Sequence, residues 1–245
     1  MRHLLGSLSL VAFMGGTLML GESVASAQGY YGPAYGPPAP PPPQRGYYAA
    51  PRPAYYGYGH VHDGFFMRLT AGLGYVTASE SWNGEKDTYS GVGATFGAAF
   101  GGTIAPNLIL FGEFLGTSVA DPAIDVAGGP NPGSGSLSGD MTLIGFGPGI
   151  AYYFEPINLY LSGTLAFSQM SFTDNTYGNY NATSDSTNWG LGASFVVGKE
   201  WWVGRAWGIG LAGQLHLASM SDNVQGYDTR LTAAAFSLLF SATYN

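Results

Sequence analysis

The segment from Gly145 to Phe167, GFGPGIAYYFEPINLYLSGTLAF, carries a pattern that the following strands repeat with variations. Large apolar residues alternate with small or polar residues on both sides of a short break, Glu155-Pro156-Ile157-Asn158. This period of two residues around a polar break predicts a β-hairpin with a tight turn. Each arm is an uncharged stretch of about ten residues. This length matches the roughly 9 to 11 residues of a tilted β-strand that crosses a bilayer. We therefore interpret the segment as one hairpin of a transmembrane barrel.

The two faces of this hairpin differ in chemistry. One parity carries the large apolar residues Phe146, Ile150, Tyr152, Phe154, Leu159, Leu161, Leu165 and Phe167. The other parity carries Gly145, Gly147, Gly149, Ala151, Tyr160, Ser162, Thr164, Ala166 and Ser168. A strand that faces lipid on one side and a barrel interior on the other is expected to alternate in this way.

The composition excludes several classes of protein. Charged residues make up 9% of the 245 residues, against about 25% in soluble globular proteins. Hydrophobic residues make up 46%, yet no helical span of about 18 apolar residues follows the N-terminal region, which leaves a closed barrel as the membrane-spanning solution. The absence of cysteine excludes disulfides and a lipoprotein anchor. The net charge of -7 argues against nucleic acid as a partner.

Two segments are expected to precede the barrel. Residues 1–27 contain Arg2, an apolar run and the small-residue pattern Ala25-Ser26-Ala27, which together predict a secretory signal peptide. Residues 28–64 are rich in Pro, Tyr and Gly, which predicts a disordered, extended periplasmic linker. A sharper interpretation makes this linker a ligand for a periplasmic partner or the cell wall. His60, His62 and Asp63 are interpreted as incidental to it and not as metal ligands.

Residues 65–245 are predicted to form an all-β, eight-stranded antiparallel up-and-down transmembrane barrel. The expected strands cover 65–77, 89–103, 107–118, 141–154, 158–171, 188–200, 206–219 and 230–244. Short connections are expected near Pro106, Pro156 and Gly204-Arg205, and longer polar loops over 78–88, 119–140, 172–187 and 220–229. Barrels of this kind place their short turns in the periplasm and their long loops outside the cell.

Aromatic residues gather near two of the predicted short turns. This placement predicts a periplasmic girdle at the membrane boundary. Its members are Trp201, Trp202, Trp207, Tyr152 and Phe154.

The sequence resembles the small eight-stranded bacterial outer-membrane barrels of the OmpA-like and opacity-protein type. The resemblance rests on GPGIAYYF at 147–154, NLYLSG at 158–163 and GKEWWV at 198–203, and it covers roughly residues 65–245. It implies the fold and a location in the bacterial outer membrane, and it carries no catalytic residues. The last strand looks like the signal that the family's outer-membrane assembly machinery recognises, except that Asn245 follows Tyr244 at the end.

Few ionisable residues fall within the predicted strands. Arg68 and Glu113 both share a parity with small residues, which predicts that they form a buried pair in the lumen. A proton relay or gate is the alternative role for such a pair. Gln214 and His216 are expected to face the same interior. Small interior residues leave room, and the sequence leaves open whether side chains fill that room or a narrow cavity remains.

No catalytic, cofactor or metal site is predicted, and we expect no enzyme activity. A barrel hydrolase or acyltransferase needs a nucleophile and a base within hydrogen-bond reach. His216 and Ser219 are the nearest candidates, but a spacing of three residues places them on opposite faces of a strand.

Acidic residues are concentrated in the predicted outer loops. They are Glu80, Glu85, Asp87, Asp121, Asp125, Asp140, Asp174, Asp185, Asp222 and Asp228. Their negative potential predicts weak divalent cation binding spread over several loops, and contact with lipopolysaccharide only where cations bridge the two. Solvation of a polar surface is the simpler role.

The expected function is that of a structural or interaction barrel among outer-membrane lipids, with acidic surface loops and no open aqueous pore. A small passive channel for minor or apolar solutes is the alternative. A soluble lipocalin-like barrel is disfavoured because its outer face would need charges that these strands lack.

Overall fold

The computed structural model describes His62 and residues 64–82, 84–129, 132–174, 183–224 and 227–245. The predicted signal peptide over 1–27 lies outside the described residues, as does the predicted linker over 28–64 apart from His62 and Gly64. No helix among the described residues is long and apolar enough to cross a membrane.

Eight long strands form a closed antiparallel barrel, because the first strand pairs with both the second and the last. These strands are β1 (Phe65–Trp82), β2 (Glu85–Ala105), β3 (Leu108–Ala120), β6 (Gly139–Phe154), β7 (Leu159–Asp174), β9 (Gly190–Trp202), β10 (Trp207–Val224) and β11 (Tyr227–Tyr244). Three short strands extend the wall at one end: β4 (Ala123–Gly128), β5 (Gly133–Ser136) and β8 (Thr183–Ser186). The predicted all-β, eight-stranded fold is confirmed.

The three predicted short connections are also confirmed, over 106–107, 155–158 and 203–206. Two of them contain an asparagine with a positive φ, Asn107 at 61° and Asn158 at 52°. Asparagine adopts this left-handed conformation more readily than most residues, which allows the chain to reverse within a few residues. We call this end of the barrel the turn end, and the opposite end the loop end.

The prediction of long loops at the other end is wrong for the first and the last of the four connections. The last, expected over 220–229, is short because β10 continues to Val224 and β11 begins at Tyr227. The first connection, expected over 78–88, is a tight hairpin, since β1 continues to Trp82 and β2 begins at Glu85. Gly84 has a φ of 83°, a left-handed conformation that glycine adopts without a steric cost. All the predicted loop acids except Asp121 consequently lie in strands, because the wall of the barrel continues beyond the apolar band.

Within the apolar band, most strands alternate between an exposed apolar face and a buried face. On the outer wall, Leu73, Leu165 and Phe240 are 66%, 73% and 72% exposed. Large apolar side chains with this exposure surround the barrel, and a soluble monomer does not carry an apolar surface of that extent. The outer wall is therefore built to face lipid.

Buried side chains fill the interior in two clusters. The loop-end cluster consists of Val76, Ala78, Val119, Met141, Leu143, Met170, Ala218, Met220, Leu231, Ala233 and Ala235. The turn-end cluster consists of Phe66, Ala99, Ile109, Phe111, Ala151, Tyr153, Tyr160, Val196, Ala212 and Leu239. Polar residues separate the two clusters.

Small interior residues make room for side chains of the neighbouring strands. At Gly74, an added Cβ atom would lie 2.4 Å from Thr95 Oγ1 and 2.5 Å from Ser237 Oγ. Those hydroxyls occupy the space that a side chain at position 74 would need. The room left by Gly74 is therefore taken by neighbouring side chains.

Candidate functional site

Arg68 lies deep in the interior at the turn end, as the alternation of β1 requires. Only 1% of its surface is exposed. Its Nη2 donates a hydrogen bond to Ser162 Oγ at 3.3 Å. Its guanidinium carbon lies 4.6 Å from the centre of the Tyr160 ring and 5.6 Å from those of Phe66 and Phe111. Aromatic faces attract a cation at these distances, so the three rings help to hold the charge.

Glu113 also faces the interior, as predicted from its parity, and is buried. Thr164 Oγ1 donates a hydrogen bond to Glu113 Oε2 at 2.5 Å. Ser162 and Thr164 are two residues apart on β7 and point to the same side. Arg68 and Glu113 thus each share a hydrogen bond with one of two neighbouring hydroxyls on the same strand. Direct pairing of the two charges stays a prediction.

A second buried carboxylate, Glu200, was missed by the sequence analysis. It is 1% exposed and accepts hydrogen bonds from Tyr153 Oη at 3.3 Å, Ser241 Oγ at 3.4 Å and Thr243 Oγ1 at 2.6 Å. A carboxylate can accept this many donors. The signal was present, because Glu200 shares its parity with the small inward residues Gly190, Gly192 and Ser194 of the same strand.

His62 closes the turn end of the interior. Its side chain is fully buried, and its ring stacks on Tyr153 with 3.6 Å between ring centres. Its Nε2 shares a hydrogen bond with Asn158 Oδ1 at 2.8 Å, and its carbonyl accepts one from Thr103 Oγ1 at 3.3 Å. The residue interpreted as incidental is therefore a packing element at the mouth of the barrel.

Hydroxyl and amide groups form the layer between the two apolar clusters. Thr95 Oγ1 lies 3.0 Å from both Thr117 Oγ1 and Ser237 Oγ. Gln214 Nε2 donates a hydrogen bond to Ser194 Oγ at 2.9 Å. These contacts join side chains from five different strands, so the layer fixes the register of the wall as well as satisfying its own polar atoms.

One serine–histidine contact in this layer resembles a nucleophile beside a base. Ser168 Oγ lies 3.0 Å from His216 Nε2. Both side chains are buried, and among the described residues His216 Nδ1 has no hydrogen-bond partner that would orient the ring. A base without an orienting group and a nucleophile without access do not form a catalytic pair. Ser219 is exposed on the outer face, opposite to His216.

The predicted aromatic girdle needs one correction. Trp201, Trp207, Tyr152 and Phe154 point outward at the turn end and are 40 to 50% exposed. Trp202 does not join them, because successive residues of a strand point to opposite faces. Its ring instead lies 5.0 Å from that of His62, inside the mouth of the barrel.

The acidic residues gather at the loop end. Glu80 of β1 stands opposite Asp87 of β2, and Thr229 of β11 donates a hydrogen bond to Glu80. Asp222 of β10 stands opposite Thr229. Among the described residues, no group of three or more His, Cys, Asp or Glu side chains is arranged to hold a metal ion.

Comparisons with known proteins give matches among solved structures only. No protein-family model matches the chain, and no curated protein matches it. Neisserial surface protein A (NspA) has a similar structure, with 15% identity, 74% of this chain and 96% of that chain covered, and a TM-score of 0.46. OprG from Pseudomonas aeruginosa is 16% identical, and the match covers 76% of this chain and 98% of OprG with a TM-score of 0.44. The outer membrane protease OmpT from Escherichia coli is 10% identical, and the match covers 74% of this chain and 96% of OmpT with a TM-score of 0.40.

The structure itself defines the class of protein. Eight antiparallel strands close without a free edge through the membrane band, the outer wall is apolar, and the interior is packed. A closed barrel of this kind satisfies every backbone group in lipid without helices. The chain is a small transmembrane β-barrel of the bacterial outer-membrane type.

Proposed function

We propose that this protein is a structural or interaction barrel of the outer membrane that has no open aqueous pore and carries an acidic surface at its loop end. The filling of the interior at both ends is the observation that supports the proposal. Leu143, Met170 and Met220 are almost fully buried at the loop end, and Arg68 and Tyr160 are almost fully buried at the turn end. An eight-stranded barrel is just wide enough to be filled in this way.

The contacts around Arg68 support the absence of a water-filled path. Its guanidinium is surrounded by the rings of Phe66, Phe111 and Tyr160, and His62 and Tyr153 are stacked at the mouth below. An ion that passed along the barrel would have to displace these side chains. No catalytic role is proposed, because the Ser168–His216 contact is buried.

Conductance across a planar bilayer tests the closed interior. The full mature barrel should give no single-channel steps, whereas R68A/Y160A, which removes two large side chains from the turn end, should conduct. Heat-modifiable gel migration must show that both proteins are folded, because a closed barrel resists unfolding by detergent. Reproducible steps from the wild-type protein would support the alternative, a small passive channel, and would overturn the closed interior.

The acidic surface is proposed to bind divalent cations weakly and to meet lipopolysaccharide through them. Glu80, Asp87 and Asp222 come from β1, β2 and β10, which lie within four consecutive strands of the wall, so their charges add at the loop end. Thermal unfolding in millimolar Ca²⁺ or Mg²⁺ should occur at a higher temperature than in chelator at matched ionic strength. A free cation concentration ten times Kd would add about 1.4 kcal/mol. Identical unfolding in the two conditions would leave only a solvated acidic surface.

The outer-membrane assembly machinery is a further proposed partner. The last strand alternates Phe236, Leu238 and Phe240 on its outer face before Tyr244. Deleting Asn245 should make assembly in cells at least as efficient as in the wild type, as judged by the heat-modifiable fraction in outer membranes. Loss of assembly on this deletion would contradict the proposed recognition of the terminal aromatic residue.

A further inference from the structure

An apolar groove crosses the outer wall where β9, β10 and β11 meet. Gly213 forms its floor, and Val197 and Leu238 stand directly opposite Gly213 on the two neighbouring strands. An added Cβ at Gly213 would meet no atom within 4 Å, so the space above it is open. The groove has a volume of about 420 Å³, within the roughly 300 to 1,000 Å³ of small-molecule sites.

A lysine lies at the turn end of this groove. Lys199 stands opposite Leu211, one outward-facing row closer to the turns than Gly213, a shift of about 7 Å along the strand. Its amine donates a hydrogen bond to the carbonyl of Ile157 and lies 5.5 Å from the centre of the Trp201 ring. An ammonium group has three donors, so two remain for a ligand. The charge therefore sits where the apolar groove meets the aromatic girdle.

We propose that this groove binds one anionic glycerophospholipid of the periplasmic leaflet. An acyl chain lies over Gly213 between Val197 and Leu238, and the phosphate group is held by Lys199. The proposal rests on the proposed outer-membrane barrel and on the expectation from the sequence that its short turns face the periplasm. Charge complementarity selects the occupant, because a basic side chain at this depth attracts an anionic headgroup. The aromatic ring of Trp201 occupies the interfacial level that suits the glycerol region.

A second groove on another part of the wall provides an internal control. It has a volume of about 380 Å³ and lies around Gly163, next to Pro148 and Leu165. No charged residue lines it. An added Cβ at Gly163 would approach no atom closer than 3.9 Å, so this groove can also be filled by substitution. It can accept an acyl chain but has no means of selecting a headgroup.

Native mass spectrometry of the full chain tests the proposal, with equimolar phosphatidylglycerol and phosphatidylcholine of identical acyl chains in the micelle. The wild type should retain one phosphatidylglycerol about fivefold more often than one phosphatidylcholine, as expected for a single basic group near an anionic lipid. K199Q should reduce this ratio to about one, and K199R should restore it. G213L should reduce retention of both lipids. K86Q, at the loop end, and G163L, in the uncharged groove, should leave the ratio unchanged.

Several results would overturn the lipid site. Equal retention of the two lipids by the wild type, or an unchanged ratio in K199Q and G213L, would exclude selective binding at this groove. A dimer that G213L abolishes would show that a second copy of the chain is the occupant instead. Heat-modifiable migration distinguishes these failures from failure of the membrane barrel itself, which would leave the wild type without a folded, detergent-resistant form.

Discussion

The two ends of the barrel interior are packed by different chemistry. The loop-end cluster is aliphatic and contains three methionines, Met141, Met170 and Met220. The turn-end cluster adds aromatic rings to its aliphatic residues, and two fully buried charged residues, Arg68 and Glu200, are inserted beside it. Apolar packing depends mainly on volume, whereas buried charges depend on each partner being present. The loop end should therefore tolerate substitution, and the turn end should not.

The largest expected effect comes from removing the interior cation. R68M keeps much of the side-chain volume but leaves Glu113 and Glu200 buried without a compensating charge. The free energy of unfolding should fall by about 3 to 5 kcal/mol. Denaturant titration of the folded barrel in detergent, followed by tryptophan fluorescence, measures this change. A loss of less than about 1 kcal/mol would show that the turn end tolerates the replacement of Arg68.

A double-mutant cycle tests the predicted coupling of Arg68 and Glu113. If their charges depend on each other, R68M/E113Q should lose clearly less free energy of unfolding than the two single variants added together. The coupling can act through Ser162 and Thr164, which bind the two charges on the same face of β7. Strict additivity would mean that each charge is held by its own surroundings.

A smaller effect is expected from Y153F, which removes one donor from Glu200. The ring stays in place against His62 and Tyr160, and Ser241 and Thr243 still donate to the carboxylate. A hydrogen bond to a charged group contributes about 1.5 to 3 kcal/mol, so the free energy of unfolding should fall within this range. Full wild-type stability of Y153F would show that Glu200 does not need the tyrosine.

The smallest effect is expected from M170L, the matched substitution at the loop end. Met170 and Tyr153 are both fully buried, and both substitutions conserve volume. A volume-conserving hydrophobic exchange costs less than about 1.5 kcal/mol. The two variants should be compared by the same denaturant titration. A larger loss in M170L than in Y153F would reverse the contrast between the two ends.

The alternation of residues made the membrane band of the barrel predictable from sequence. Tyr152 and Tyr153 show this directly, since the first points to lipid and the second to the interior, as the period of two requires. The same rule, applied to every position, predicts that Trp202 points inward and that Glu200 is buried. These two residues were missed because the segment GKEWWV at 198–203 was judged by its content of aromatic and charged residues. The alternation of inward and outward positions was not applied to it.

The loop end was less predictable because its strands have no lipid-facing apolar pattern. The segment Glu85 to Ser90 is polar apart from Tyr89, yet it forms the start of β2 and pairs with both β1 and β4. The short strand β5 has the sequence GSGS, which has little intrinsic tendency to be extended. Such segments become strands because a neighbouring edge offers hydrogen bonds, and a single sequence does not show which edge will be near.

The barrel closes only when β1 pairs with β11. Every other barrel pairing joins strands that follow one another along the chain, either directly or across one or two short inserted strands. The β1–β11 pairing joins Met67 to Tyr244, from almost opposite ends of the barrel sequence. Contacts so distant in sequence carry the largest loop-closure entropy and slow folding most. Until that seam forms, the chain presents two unsatisfied strand edges to the bilayer, so closure of the seam is the step at which assembly succeeds or fails.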